Sequence, residues 1–326
     1  MTKRELIGTS GAISIITRTI EKICDLPNPI LITGEAGTGK DLTASIIHEK
    51  SKRKDANLIK FDTLGVPRSH IESKLLGSLE PDGTLISGIL SDADGGTLLI
   101  NNVDFLPPDV QSNLMSIISN GEFYGPGNVE PISLDVRLIC TADINLNELA
   151  EEGNIRLNLL NELSQFHLHI PPLRERLEDI PELINHFVEN TSRELSIPTP
   201  VVSTDFLEKI MRSNLPGNSS QLENIIKSSL VMSEKGVLDI DNIPDSILST
   251  KPDYIKSLMS ELKAVTTRKY KKFFNNIEKE LVVAALTDMK YNQVKVAQLF
   301  GIDESTLRRK MDKYGIPKKR SRAKLI

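Results

Sequence analysis

At 326 residues the chain exceeds what one ordinary hydrophobic core sustains, and it reads as two or three domains. Its 39% hydrophobic and 26% charged residues are the mix of a folded globular protein, and no apolar run reaches the roughly 18 residues of a membrane span, which excludes disordered and integral-membrane classes. The net charge of −4 is unevenly spread: Lys263 to Ile326 holds 17 Lys/Arg against 6 Asp/Glu, or +11, while the remainder, 23 against 38, carries −15. A basic end on an acidic body points to a polyanion partner at the C-terminus, with a merely solvated basic tail as the alternative. Met1–Leu6 lacks the apolar stretch of a signal peptide, and Cys24 and Cys140 lie far apart in apolar surroundings as expected of buried thiols. The expected location is cytoplasmic.

In chain order, Ile13, Ile16, Ile20 and Ile23 recur at helical spacing over 12–25. The apolar run 29–33 predicts a strand, a Gly-rich turn follows, and a helix is expected from Asp41 to about Lys50. Further strands are expected at 57–61, 97–100 and 136–141, alternating with helices or loops. That alternation predicts a three-layer α/β domain with a mostly parallel sheet over 1–172. After Pro171-Pro172 the strands are expected to stop, and helices at 179–194, 203–213 and 218–234 predict a small helical domain over 173–248. Residues 249–275, with Pro252 and a basic stretch at 268–272, read as a linker, and three helices over 276–326 close the chain.

Gly34-Glu35-Ala36-Gly37-Thr38-Gly39-Lys40-Asp41 joins the strand at 29–33 to the following helix. Glycines let backbone N–H groups turn around phosphate oxygens, the helix N-terminus adds a favourable dipole, and lysine neutralises the β- and γ-phosphates. The segment is therefore a candidate ATP site. Its last position is Asp41 where such loops usually carry Ser or Thr, so the usual hydroxyl ligand for Mg2+ is missing and magnesium has only weak support.

These motifs resemble the AAA+ domain of the sigma-54-dependent enhancer-binding activators, the NtrC-like family. Leu6-Ile7-Gly8 resembles the family's opening motif beside the adenine, which adds Ile7 and Gly8 to the candidate nucleotide contacts, and 34–41 resembles GESGTGKE, with an acid at its end. The segments 94–98 (DGGTL), 107–111 (PPDVQ), 135–139 (DVRLI), 170–176 (IPPLRER) and 215–218 (LPGN, for WPGN) follow in family order. The resemblance runs from Leu6 to the C-terminus. It implies an AAA+ P-loop NTPase sandwich with a helical lid, followed by an all-α Fis-type helix-turn-helix domain.

The departures fall on working positions. Asn101 and Asn102 stand where the family has Asp-Glu, the magnesium-shell acid and the acid that polarises water. An amide cannot act as a general base, and Asp104, beyond the strand end, is not expected to substitute. Of the two arginines of the family's FRxDLYYRLN, Arg156 keeps the first and is a candidate arginine finger, while the second is Glu162. The lid arginine is Ser220, the first sensor reads Cys140-Thr141-Ala142-Asp143, and Ser78–Ser87 shows no trace of the GAFTGA loop that touches sigma-54. Loss of such contacts predicts deficient hydrolysis.

At the C-terminal end, Ile277, Leu281, Ala284 and Ala285 share a helical face. Residues 292–300, a Gly301-Ile302 turn and the cationic segment 303–314 form a helix-turn-helix pattern in which Val296, Leu299 and Phe300 are expected to pack on Ile302, Leu307 and Met311. The segment resembles Fis-type DNA-binding domains. By that resemblance Thr306, Arg308, Arg309 and Lys310, with Ser305 on the same exposed face, meet double-stranded DNA, and Asn292 and Lys295 hold phosphate. Asp303 and Glu304 depart from the residues usual there, and Lys318–Arg322 could add phosphate contacts. Fis-type modules pair, so a dimer at this domain within a homo- or hetero-oligomer is expected.

Three functions compete on sequence alone. The first is a DNA-binding regulator that binds ATP without hydrolysing it and works with RNA polymerase or another transcription regulator. The second is an active sigma-54 ATPase, and the third a sequestering partner that binds no DNA. Only five residues precede Leu6, so control is expected through expression level, a partner or the nucleotide itself.

Overall fold

A computed structural model describes residues 4–126, 130–143, 151, 153–233 and 236–243, and, nearer the C-terminus, 278–279, 281–283, 285–286, 289, 292–300, 302–314 and 316. It divides into two compact units, Met1–Thr250 and Lys251–Ile326. The expected linker at 249–275 and the basic residues 318–322 lie outside the described residues.

In the first unit α1 (Gly11–Ile23) leads to β1 (Ile30–Thr33), α2 (Lys40–Glu49), β2 (Leu58–Asp62) and α3 (Arg68–Leu76). Then come the hairpin strands β3 (Gly77–Leu79) and β4 (Leu85–Ser87), α4 (Ile89–Asp92), β5 (Thr97–Asn101) and α5 (Pro108–Asn120). The short pair β6 (Glu122–Phe123) and β7 (Ile132–Ser133) precedes β8 (Arg137–Ala142), α6 (Leu157–Leu163) and β9 (Phe166–His169). The five-stranded sheet runs β2-β5-β8-β1-β9 and every pairing in it is parallel.

Alternation along the strands sorts the core into two faces. Leu31, Phe61, Leu98, Ile100, Leu138 and Cys140 pack under α3, α5 and α6. Ile30, Ile32, Leu99 and Ile139 pack under α1 and α2. Each such leucine or isoleucine, excluded from water, contributes about 1.5–3 kcal/mol. This is the expected three-layer sandwich. Its edge strand β9 escapes the sequence pattern because its burial alternates with the two outward histidines His167 and His169.

Residues 173–243 carry a core of their own, built from α7 (Ile180–Glu194), α8 (Thr204–Met211) and α9 (Asn218–Met232) around Phe206, Leu222 and Ile226. The expectation that strands stop after Pro172 needs correction: β10 (Val201–Val202) pairs in parallel with β11 (Val237–Leu238). Two-residue strands carry too little periodicity to register in a sequence. Cys24 and Cys140 are buried free thiols, and burial pushes Cys140 up to about 12.

In the second unit α10 (Gln293–Leu299) and α11 (Glu304–Tyr314) close on Val282 and Leu286, with Val296, Ala297, Leu307 and Met311 at the centre. The expected packing is corrected in part. Leu281 is 47% exposed, Leu299 60% and Phe300 37%, and the inward places are taken by Val282, Leu286 and Ala297. Val296, Leu307 and Met311 lie inward as expected, with Ala285 and Ile302 packed against them, while Ile277 and Ala284 lie outside the described residues.

Candidate functional site

The phosphate loop leaves the carboxyl end of β1, which lies between β8 and β9. A parallel sheet presents its ligand crevice at such strand ends. Gly34, Gly37 and Gly39 have φ of +154°, +76° and +104°, and Gly39 opens α2. At Gly37 a side chain has no room either: a Cβ would stand 2.1 Å from the carbonyl oxygen of Gly217 on the lid. Thr38 hydroxyl donates to Glu35 O at 2.8 Å, and Lys40 Nζ donates to Gly34 O (2.6 Å), Glu35 O (3.1 Å) and Asp143 Oδ1 (3.2 Å). Loop residues Gly34 to Asp41 are thus brought together around Lys40, and Asp143 of the departing sensor segment joins them.

The lid grips this loop. Asn218 donates to Ala36 O (2.9 Å) and Glu35 (3.2 Å), and its own oxygen accepts from Leu173 N (2.7 Å). Arg174 pairs with both oxygens of Glu35, and its guanidinium holds that carboxyl below the usual range. Ser220 N donates to Gly37 O at 3.3 Å, so the serine at the lid-arginine position lies against the phosphate loop. Buried Arg176 donates to Thr38 O (3.0 Å) and lies 4.0 Å from the fully buried Asp179. Asp179 in turn accepts from Ser10 N (2.7 Å) and Oγ (2.8 Å), and a Cβ on Gly8 would strike it at 2.5 Å. Ile7 packs on the lid core. Arg174 and Arg176 are site residues that the sequence pattern does not single out, because the 170–176 motif carries no sign that its two arginines meet the phosphate loop.

At the end of β5, Asn101 Nδ2 donates to Asp41 Oδ1 at 2.6 Å, and Asn101 Oδ1 accepts from Thr141 Oγ1 at 2.9 Å. Thr141 Oγ1 accepts from Asn102 N at 3.3 Å. Asp41, a carboxylate, can only accept, which turns the amide nitrogen of Asn101 toward it and leaves the amide oxygen to accept from Thr141. The other oxygen of Asp41 lies 3.4 Å from Lys60 Nζ. Magnesium requires several oxygen ligands in near-octahedral order. Here the amide nitrogen, which cannot ligate a metal, and an ammonium occupy the two sides of the carboxylate, so these residues as arranged do not fit the ion.

Asn102 adopts φ +57° and ψ +55°, a left-handed conformation that asparagine tolerates better than most residues, and donates to Asp62 Oδ1 at 3.0 Å. Asp104 is half-buried, and its Oδ1 has no hydrogen-bond partner among the described residues. Burial chiefly, and the charge of Asp143, push its carboxyl above the usual range, against the pull of Lys40.

Arg156 is exposed at the start of α6, where buried Gln111 accepts from its backbone N at 2.8 Å and donates to Asn154 O at 2.9 Å. Glu162 accepts from Gln165 at 2.6 Å. The segment 77–87 forms a tight hairpin with the apolar pair Leu79 and Leu85 exposed.

Just before α11, Asp303 accepts from Thr306 N (2.8 Å), Thr306 Oγ1 (2.7 Å) and Ser305 Oγ, and these bonds hold its carboxyl far below the usual range. Arg308 reaches Glu304 (2.6 Å) and Gln293 (3.2 Å), Lys310 pairs with Glu278, and Arg309 is exposed. Asn292 caps α10 by accepting from Lys295 N at 3.2 Å.

Family models match three successive segments: the sigma-54 interaction domain over residues 6–169, the AAA+ ATPase lid domain over 174–258, and the Fis family of bacterial regulatory proteins over 273–314. The DNA-binding transcriptional regulator NtrC of Escherichia coli K12 is 30% identical over 96% of this chain and 70% of its own length. That of Klebsiella pneumoniae is 32% identical over the same shares. Crystal structures of Brucella abortus NtrX with ATP and with ADP are 27% and 26% identical, with TM-scores of 0.68 and 0.70; they cover 96% and 95% of this chain, and each is matched over 70% of its own length.

Proposed function

The chain belongs to the sigma-54-dependent, NtrC-type family of DNA-binding transcriptional regulators, and from that premise we propose that its AAA+ domain binds ATP without turning it over. Nucleotide binding is supported by the loop geometry around Lys40 and by the likeness to NtrX bound to ATP and ADP. DNA binding is supported by the Fis-type match and by the exposed Arg308 and Arg309 on α11. The protein acts in the cytoplasm, dimeric at its DNA-binding domain, on RNA polymerase or together with another regulator.

One observation carries the deficiency in hydrolysis. Asn101 and Asn102 are hydrogen-bonded into Asp41, Thr141 and Asp62, so neither acts as a base or presents an acid. Glu162 and Ser220 place no cation where positive charge would stabilise phosphoryl transfer. The compact hairpin at 77–87 in place of a GAFTGA loop supports a mode of action without sigma-54 remodelling. ATP then stabilises a folded or assembled state by linkage.

Thermal shift with ATP, combined with phosphate release at several protein concentrations and with or without DNA, tests this. Binding without release above background is expected. Concentration-dependent turnover would favour the second reading, an active sigma-54 ATPase, supported by Asp104 Oδ1, which has no hydrogen-bond partner among the described residues and lies within electrostatic reach of Lys40. In that case Asp104→Asn removes the turnover.

A further inference from the structure

The misfit of the Asp41 neighbourhood to magnesium has a positive counterpart in Lys60. Positions 60 and 62 alternate on β2, so Lys60 and Asp62 share one face. The register sets Asp62 beside Asn101, at the strand end where Asn102 meets Asp62 and Asn101 meets Asp41. Lys60 Nζ, partly exposed on a flexible stem, stands 3.4 Å from Asp41 Oδ2. We propose that Lys60 and Asn101 together replace the divalent cation of this nucleotide site, so that the chain binds a nucleoside triphosphate without metal. The inference rests on the nucleotide-binding reading above.

Charge decides the matter. Asp41 lies in the first turn of α2, next to the lysine that meets phosphate, and a bare carboxylate there would repel the triphosphate. A metal-dependent site solves this with a cation shared between carboxylate and phosphate oxygens. Here the strand-end residue is an amide whose oxygen is held by Thr141, leaving only N–H donors toward Asp41, and Lys60 supplies the positive charge. An ammonium on a four-carbon stem has the reach to sit between Asp41 and the phosphates as a point charge. Lys40 and Lys60, with the N-terminal dipole of α2, then face the polyanion.

The test is calorimetric titration of the full chain with ATP at fixed ionic strength, once with EDTA and once with excess magnesium. The dissociation constant with EDTA is expected within about threefold of that with magnesium. A loss of about tenfold or more on removing magnesium overturns the proposal while leaving nucleotide binding intact. Absence of binding in both buffers overturns the nucleotide reading and this inference with it. Lys60→Gln, folded as judged by circular dichroism and unfolding temperature, is expected to weaken ATP in EDTA at least about fivefold and to recover part of the loss when magnesium is added. Unchanged affinity of Lys60→Gln in EDTA also overturns the assignment.

Discussion

Arg174 and Glu35 meet end to end, each terminal guanidinium nitrogen 2.7 Å from one carboxylate oxygen. The contact ties the segment that enters the lid to the second residue of the phosphate loop. The Arg174 hydrogen bonds are the main reason the Glu35 carboxyl sits below its ordinary value. A depressed carboxyl contributes stability that is present above its unfolded value and lost as pH falls through its folded one. Arg174→Ala is therefore expected to lower stability at pH 7, and its gap to the parent should narrow as the pH falls from the ordinary value of 4.5 through the depressed one. Because the Arg174 side chain is 56% exposed, solvent limits the effect to about 1 kcal/mol or less. Denaturant unfolding at pH 7 and pH 3.5 measures it; an equal gap at both would break the link to Glu35.

Lid and loop also touch backbone to backbone at Gly37 and Gly217. A Cβ on Gly37 would lie 2.1 Å from the Gly217 oxygen, and its φ of +76° is strained for any other residue. Gly37→Ala is expected to cost about 1–3 kcal/mol in strain and to displace the lid from the loop. Gly11, in the first turn of α1 with nothing near its Cβ position, is the control: Gly11→Ala should be neutral or stabilising by about 0.4–1 kcal/mol. Equal unfolding temperatures for the two variants would contradict the close approach at Gly37.

Much of this site was legible because glycine, lysine and the strand–loop–helix order are local signals. Asn101 and Asn102 were anchored by the strand before them. What the chain order hides is which side chains the sheet brings side by side. Lys60, Asp62 and Thr141 come from β2 and β8, flanking β5, and only the parallel register sets them beside residues 101 and 102. Edge strand β9 was hidden because its outward histidines dilute the apolar run, though they have a place of their own, with Thr33 hydroxyl 2.7 Å from His167 Nε2 and 3.1 Å from His169 Nδ1. In the second unit the helix-turn-helix was legible from its turn and charges. Which of the neighbouring apolar residues turn inward was not, since Leu281 sits next to Val282 and Phe300 and Leu299 close to Ala297.

Restoring the two acids should not restore an enzyme. Asn101→Asp puts a carboxylate where an amide now donates to Asp41 at 2.6 Å, and Asn102→Glu forces a long side chain into a left-handed backbone. The lost hydrogen bond costs about 1 kcal/mol and the backbone strain about 1–2 kcal/mol. Magnesium is expected to raise the unfolding temperature of the double variant and to leave the parent unchanged. Phosphate release stays at background, because Glu162 and Ser220 still supply no positive charge. Turnover well above the parent would show that the two acids alone limit the site.

On α11 the cations divide by what already holds them. Lys310 and Tyr314 both meet Glu278, a contact that lowers the Glu278 carboxyl and ties α11 to the preceding helical segment. Arg309 is exposed. Arg309→Ala is therefore expected to weaken duplex binding across sequences and to reduce the slope of log affinity against log salt by about 1, with unchanged unfolding temperature. Lys310→Ala should lower the unfolding temperature of this domain while altering the salt slope less than Arg309→Ala does. Binding isotherms of the full chain on duplex DNA at four salt concentrations, with thermal unfolding of the same samples, separate the two roles. A larger salt-slope change for Lys310→Ala than for Arg309→Ala would place Lys310 on phosphate and make its contact with Glu278 secondary.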